Sequence, residues 1–235
     1  MEGTFLKQII TESAEELASN VKSHMEECSS EITEMLNHLN LLNNWTDFLS
    51  GYQTNIILKE VVYDLLSSVY ISTNGMYRNA YSSLRSAIEL GIGFIYFTDH
   101  NYNFLKWKLN KFDLSWSLLN SESHGVLNKS YLTLFFPKFK YEPYIEKVKE
   151  LYRECSEFTH GKFNYMQTVE NSKITFDKIK FNEWAKMYVE VIQILIVILR
   201  VRFTNELSFF EQEDIVDFMN EIFKNLNHKE LELNE

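Results

Sequence analysis

Apolar residues recur every three or four positions along most of the chain, which is the period of an amphipathic α-helix. Glycine and proline are scarce, with seven and two copies among 235 residues, whereas folds rich in strands and tight turns use both heavily. No internal repeat, low-complexity tract or Gly/Ser-rich linker divides the chain. The sequence therefore predicts an all-α fold, a single bundle of about seven or eight helices.

The expected domain spans residues 1–235. Its three parts are an N-terminal helical extension (1–50), a core (55–205) and a C-terminal helix with an acidic tail (206–235). The helical spacing is interrupted near residues 163–180, where FNYMQTVENSKITFDKI is compatible with a small β-hairpin. Asn182 and Ser208 are expected to begin the two helices that follow, because both side chains are good N-caps.

The helix predicted from about Met76 to Phe97 carries an apolar row and a polar row side by side. The polar row consists of Arg78, Ser82, Arg85 and Glu89. In one interpretation Arg85 and Glu89, four residues apart, pair with each other, because leaving either charge buried alone would cost about 3–5 kcal/mol. In the other, the row faces a functional site, where Glu89 orients a catalytic histidine and Arg78 or Arg85 contacts phosphate.

A second polar pattern lies in the helix that Pro143 opens and Gly161 ends. Its last residues, YRECSEFTHG, place Arg153 seven positions before His160, which is about 700° of rotation and roughly 10 Å of rise. Both side chains are therefore expected on one face, with Ser156 one turn before the histidine. A histidine can move the proton of a ribose 2′-hydroxyl or of a leaving oxygen, and an arginine offers two parallel donors to a phosphate.

This pair resembles the signature of HEPN domains (higher eukaryotes and prokaryotes nucleotide-binding), in which four to six residues separate an arginine from a histidine near a helix end. RECSEFTH fits that pattern with six intervening residues, and YRNAYSSLRSAIELGIGFIY resembles the Arg- and Glu-bearing helix of bacterial HEPN-like proteins. The resemblance covers roughly residues 55–205. It implies an all-α homodimer in which two copies of the motif face each other. It also implies metal-independent endoribonuclease activity in a toxin–antitoxin, CRISPR-associated or phage-defence system.

The resemblance implies a role for each candidate residue. His160 would be the general acid or base and Arg153 would bind phosphate, and their supporting residues would be Ser156, Glu89, Arg85 and Arg78. The implied partners are RNA, a second copy of the chain, and an antitoxin or partner defence protein. No cofactor or metal is expected, because Glu157 and His160 form a single Glu-x-x-His pair and a di-iron bundle needs two.

Other interpretations of the same residues stay open. A histidine before a glycine at a helix end can interact with the last carbonyl groups and the helix dipole. Arg153 can pair with Glu150 or Glu157, which both lie within one turn. Glu154 directly follows the arginine, and its carboxylate would repel a phosphate. The alternative function is therefore a non-catalytic interaction subunit that binds a partner protein or a nucleotide.

Charge and targeting signals limit the expected partners and compartment. The net charge of −10 argues against broad binding to nucleic acid, but residues 138–186 carry ten Lys and Arg against eight Asp and Glu. Cys28 and Cys155 are the two cysteines, too few for a disulfide framework, and no signal peptide is visible. The most apolar segments are too short or too charged to span a bilayer. We expect a cytoplasmic protein without membrane association.

Overall fold

The computed structural model describes residues 2–137, 141–160 and 174–207 of the chain. These ranges contain nine α-helices, one short 3-10 helix and no β-strand, which confirms the predicted all-α bundle. The helices are α1 (Glu2–Glu27), α2 (Ser29–Phe48), α3 (Asn55–Thr73), α4 (Tyr77–Asp99), α5 (Asn101–Lys108), α6 (Trp116–Leu119), α7 (Lys129–Phe135), α8 (Tyr141–His160) and α9 (Lys178–Arg202), and the 3-10 helix is Thr204–Glu206. Within the described ranges, none of the helices combines the length and the apolar character that a membrane crossing requires.

Two predicted helices are each divided, so the described ranges hold more helices than the sequence indicated. The N-terminal helix is interrupted at Cys28, whose φ of −129° lies outside the helical region. The spacing of NYNFLKWKLNKFDLSWSLLN (101–120) predicts one helix, but α5 stops before Asn110, which adopts a left-handed φ of 54°. The Asn110 N–H donates to the carbonyl of Trp107, a bond typical of a helix C-terminus. The short α6 follows as a separate helix, beginning at Trp116.

The segment before α9 differs from the prediction. Within the predicted hairpin, residues 174–177 form no strand and α9 already begins at Lys178, so the hairpin is wrong in this part. The rest of that hairpin, the helix expected to begin at Ser208 and the helix-ending Gly161 lie outside the described residues.

Asp177, rather than Asn182, is the N-cap of α9. Its carboxylate accepts hydrogen bonds from the backbone N–H groups of Ile179 and Lys180, both at 3.1 Å. A carboxylate is favourable there because the first N–H groups of a helix lack internal partners and carry the positive end of its dipole. The alternating apolar residues of ITFDKI have the period of a strand, which is why the sequence placed the start of α9 too late.

Helix α4 forms the centre of the bundle. It packs against α3, α8 and α9, and α2 packs against α9. The predicted apolar row is buried, with exposures of at most 3% for Tyr77, Tyr81, Leu84, Ile88 and Ile95. The polar row, one position away, consequently lies at the border between α4 and α8.

A buried polar side chain, Asn20, fastens α1 to the α3–α4 turn and to the segment before α9. Its Nδ2 donates to the carbonyl oxygens of Asn74 and Ile174, at 3.1 and 3.0 Å. Its Oδ1 accepts from the N–H of Phe176 at 3.0 Å. The turn needs Gly75, because its φ is +87° and a Cβ there would lie 2.9 Å from a backbone oxygen of the segment before α9.

His24 continues this contact one turn later in α1. Its imidazole is fully buried, with Nδ1 2.7 Å from the Asn20 carbonyl and Nε2 2.9 Å from the Tyr77 hydroxyl. That hydroxyl accepts from the N–H of Asp177 at 2.9 Å, so its own proton is available to Nε2. The pattern assigns a neutral imidazole protonated on Nδ1. Burial lowers the pKa of His24 and raises the pKa of Tyr77 to about 12. We refer to Asn20, His24, Tyr77 and Asp177 as the His24 cluster.

Candidate active site

Helix α8 runs without interruption from Tyr141 to His160, as predicted. Pro143 lies in its first turn, where the missing N–H costs no helical hydrogen bond. The buried side of α8 consists of Tyr144, Lys147, Val148, Leu151, Tyr152 and Cys155. Arg153 and His160 are both exposed. The helix therefore holds both candidate catalytic side chains outside the core.

Helical geometry places Arg153 and His160 on one side of α8. At about 100° per residue they are about 20° apart around the axis and roughly 10 Å apart along it. Ser156 lies between them along the helix, and its hydroxyl donates to the Tyr152 carbonyl at 2.7 Å. We call the exposed surface that carries Arg153 and His160 the α8 face. Its spacing leaves room for a phosphate between guanidinium and imidazole.

Arg78 of α4 binds the C-terminal end of α8. Its Nε donates to the carbonyl oxygen of Phe158 at 3.0 Å, and its Nη2 donates to that of Thr159 at 3.4 Å. The Ser82 hydroxyl lies 3.3 Å from the hydroxyl of Thr159. The last carbonyl groups of a helix lack internal partners and carry its negative dipole end, so a guanidinium stabilises them. Arg78 therefore positions the backbone beside His160 and does not present these donors to a phosphate.

Arg85 and Glu89 meet at a single side chain of α8, Tyr152. The Tyr152 hydroxyl accepts from Arg85 Nη2 at 3.1 Å and donates to Glu89 Oε2 at 3.3 Å. The structure thus joins Arg85 to Glu89 through a hydroxyl instead of the direct pair that one interpretation expected. Trp116 stacks on the Tyr152 ring with centroids 3.7 Å apart and planes inclined by 8°. These contacts hold α8 against α4.

Within one copy of the chain, Glu89 contacts α8 well before His160. Tyr152, which it contacts, precedes His160 by eight residues, or roughly 12 Å along the helix. The polar row of α4 does face α8, as the second interpretation expected. Its observed contacts support the helix, however, and are made to Tyr152 and to the last turn.

Lys147 is a supporting residue that was not predicted from the sequence. It is 5% exposed, and its Nζ lies 3.0 Å from Glu190 of α9 and 3.7 Å from Glu150. Breaking a buried ion pair on one side typically costs about 3–5 kcal/mol, so this contact fastens α8 to α9. It also engages Glu150, one of the carboxylates expected to compete for Arg153. The sequence does contain a signal for this role, because Lys147 occurs among the regularly spaced apolar residues of α8.

Cys155 lies inside the motif but has no nucleophilic environment. It is fully buried, and its Sγ lies 3.5 Å from Sδ of Met187 in α9. Burial raises the pKa of the Cys155 thiol well above its usual range, so it stays protonated and unreactive. In the part of the chain that the structure describes, no three His, Cys, Asp or Glu side chains are grouped to hold a metal ion.

A cavity of about 270 Å³ lies away from the α8 face, between α2 and the end of α9. Its walls are formed by Leu41, Asn44, Trp45, Phe48, Arg200 and Leu207. None of these residues belongs to α4 or α8, so the cavity is separate from the candidate catalytic residues.

Comparison with known proteins finds no matching family model, no similar curated protein and no similar solved structure. The resemblance to HEPN domains therefore rests on RECSEFTH and on the helix YRNAYSSLRSAIELGIGFIY. The roles it implies for Arg153 and His160 stay predictions.

Proposed function

We propose that the protein is a metal-independent endoribonuclease that acts as a homodimer in a bacterial toxin or antiphage defence system. The observation that carries this proposal is the α8 face, where Arg153 and His160 are both exposed on one side of an unbroken helix. The contact of Arg78 with the last turn of α8 supports the proposal further. It fixes the backbone next to His160 and so limits the positions that the imidazole can take.

In the proposed reaction the ribose 2′-oxygen attacks the neighbouring phosphorus while the His160 imidazole takes the 2′-hydroxyl proton. The bond from phosphorus to the 5′-oxygen breaks, and an imidazolium donates a proton to that oxygen. The products are a 2′,3′-cyclic phosphate and a 5′-hydroxyl. Arg153 stabilises the charge that grows on the non-bridging oxygens. A homodimer with two facing motifs would supply one imidazole for each proton transfer.

The test is cleavage of a fluorophore- and quencher-labelled single-stranded RNA by the purified chain in excess EDTA. We expect cleavage by the wild type, a loss of about 100- to 10,000-fold in His160→Ala, and a loss of about 100- to 1000-fold in Arg153→Ala. His38→Ala is the matched control, because His38 is a partly exposed helical histidine on α2, away from the α8 face. Equal cleavage by wild type and His160→Ala, or cleavage abolished by the chelator, would refute the proposal.

One observation favours the alternative, a non-catalytic subunit that binds a partner protein. Ile56, Tyr63 and Tyr70 recur every seven residues on α3, and their exposures are 64%, 63% and 62%. Side chains seven apart share a helix face, so they form an apolar stripe open to solvent.

Expression in a host discriminates the two functions. An active ribonuclease impairs growth, and His160→Ala relieves the impairment. An interaction subunit instead shows no cleavage, and it forms a complex with a partner protein that Tyr63→Lys disrupts.

A further inference from the structure

Lys149 extends the α8 face on the N-terminal side of Arg153. It is exposed, and it lies one turn before Arg153 and about 40° from it around the helix axis. Lys149, Arg153 and His160 together occupy a strip about 40° wide and roughly 16 Å long. Three cationic or protonatable side chains in a row can follow the phosphates of one nucleic acid strand.

Acidic side chains border this strip on the side away from α4. Relative to Arg153, Glu146 and Glu157 are rotated by about 20° and 40° in that direction, whereas Lys149 is rotated by about 40° toward α4. The carboxylate of Glu146 is exposed and repels a polyanion, so it disfavours binding on the outer side of α8. Glu142 lies in the first turn of α8 and ends the basic strip toward the N-terminus of the helix.

The side toward α4 has the opposite character. The polar row of α4 brings the cations Arg78 and Arg85 to the edge of α8, and Glu89 offsets one of them. A strand that contacts Lys149 is thus attracted toward the groove between α4 and α8. These charges favour a path along α8, from His160 toward the middle of the helix.

We propose that Lys149 binds a backbone phosphate of single-stranded RNA, next to the phosphate held between Arg153 and His160. This inference rests on the proposed function and adds a residue that positions the RNA backbone along α8. Single-stranded RNA fits because the attacking 2′-oxygen must lie opposite the 5′-oxygen that leaves the phosphorus. The sugar–phosphate backbone has to rotate to reach that geometry, and base pairing in a duplex resists the rotation. The contact is to phosphate and reads no bases.

The test is fluorescence anisotropy with a labelled 2′-O-methyl RNA decamer, which cannot be cleaved because its 2′-oxygens are blocked. Lys149→Ala is expected to weaken binding about 3- to 10-fold at low salt and to lower the slope of log affinity against log salt by about 0.7. Lys149→Arg should restore both. Glu146→Gln should tighten binding about 2-fold, because it removes a repulsive charge. Lys59→Ala, an exposed lysine on α3, is the charge-matched control and should stay within about 1.5-fold of wild type.

Measurable binding that Lys149→Ala and Lys59→Ala change equally would overturn the inference and leave the proposed function standing. The absence of wild-type binding would overturn both. If Lys149→Ala weakens binding but the wild type does not cleave unmodified RNA, the RNA path is supported and the ribonuclease proposal fails.

Discussion

His24 and His160 each lie in the last turn of a long helix, α1 and α8, yet their surroundings differ completely. The end of α1 is covered by the start of α4 and by the segment before α9, so His24 is fully buried with both ring nitrogens in hydrogen bonds. The end of α8 meets α4 through backbone carbonyls and Thr159, which leaves the His160 side chain exposed. The first histidine is therefore held in one neutral form, while the second is open to solvent and accessible to a bound molecule.

Asn20→Ala should have the largest effect on stability, because it removes the side chain that joins three parts of the chain. Two backbone carbonyl groups and one N–H group would lose their hydrogen-bond partner. Each buried polar group left without a hydrogen bond lowers the free energy of unfolding by about 1–3 kcal/mol. We expect a loss of about 2–4 kcal/mol in the free energy of unfolding, measured by urea denaturation. Asn37→Ala, at an exposed position of α2, should change it by less than about 0.5 kcal/mol. Equal losses in the two variants would show that the His24 cluster does not fasten α1.

The second largest effect should be on the pH dependence of stability, to which the buried His24 should contribute. Burial lowers the pKa of His24, so below its usual value of 6.5 the unfolded chain binds a proton that the folded chain does not. The His24 contribution is complete above about pH 6.5 and is lost as the pH falls, by at most about 1.4 kcal/mol per pH unit. The groups that face the imidazole are Tyr77, which stays protonated, and Glu27, whose charge opposes the shift.

Urea denaturation from pH 7.5 to 5.5 measures this slope. His24→Gln should flatten it, since glutamine does not titrate. His38→Gln should leave it unchanged, because His38 makes the same contact with the carbonyl four residues earlier but is only partly buried, whereas His24 is fully buried. A slope that persists in His24→Gln would contradict a buried neutral imidazole.

His160→Gln should have the smallest effect on stability. Its side chain is exposed, so the free energy of unfolding at pH 8 should change by less than about 0.5 kcal/mol, even where RNA cleavage is lost. Circular dichroism during urea denaturation measures the difference. A loss comparable with that of Asn20→Ala would make His160 a structural helix cap, the other interpretation that its position before Gly161 allows.

The sequence predicted α8 and the shared face of Arg153 and His160, because both follow from the geometry of one helix. Pro143 in the first turn and the seven-residue spacing depend on local geometry alone. It misplaced the start of α9, where Asp177 caps a segment with the alternation of a strand. It also missed Tyr152, because an aromatic residue in a helical row is usually a core residue and its hydroxyl contacts involve residues more than sixty positions away.

The sequence by itself determined the helical class, the apolar row of α4 and the helix that carries Arg153 and His160. These features depend on residue periodicity, which acts over one or two turns. The tertiary structure decided which polar side chains are covered: His24 enclosed by distant elements, Arg78 and Arg85 engaged by α8, and His160 left in solvent. Burial depends on which helices pack together, and residues far apart in the chain set that arrangement.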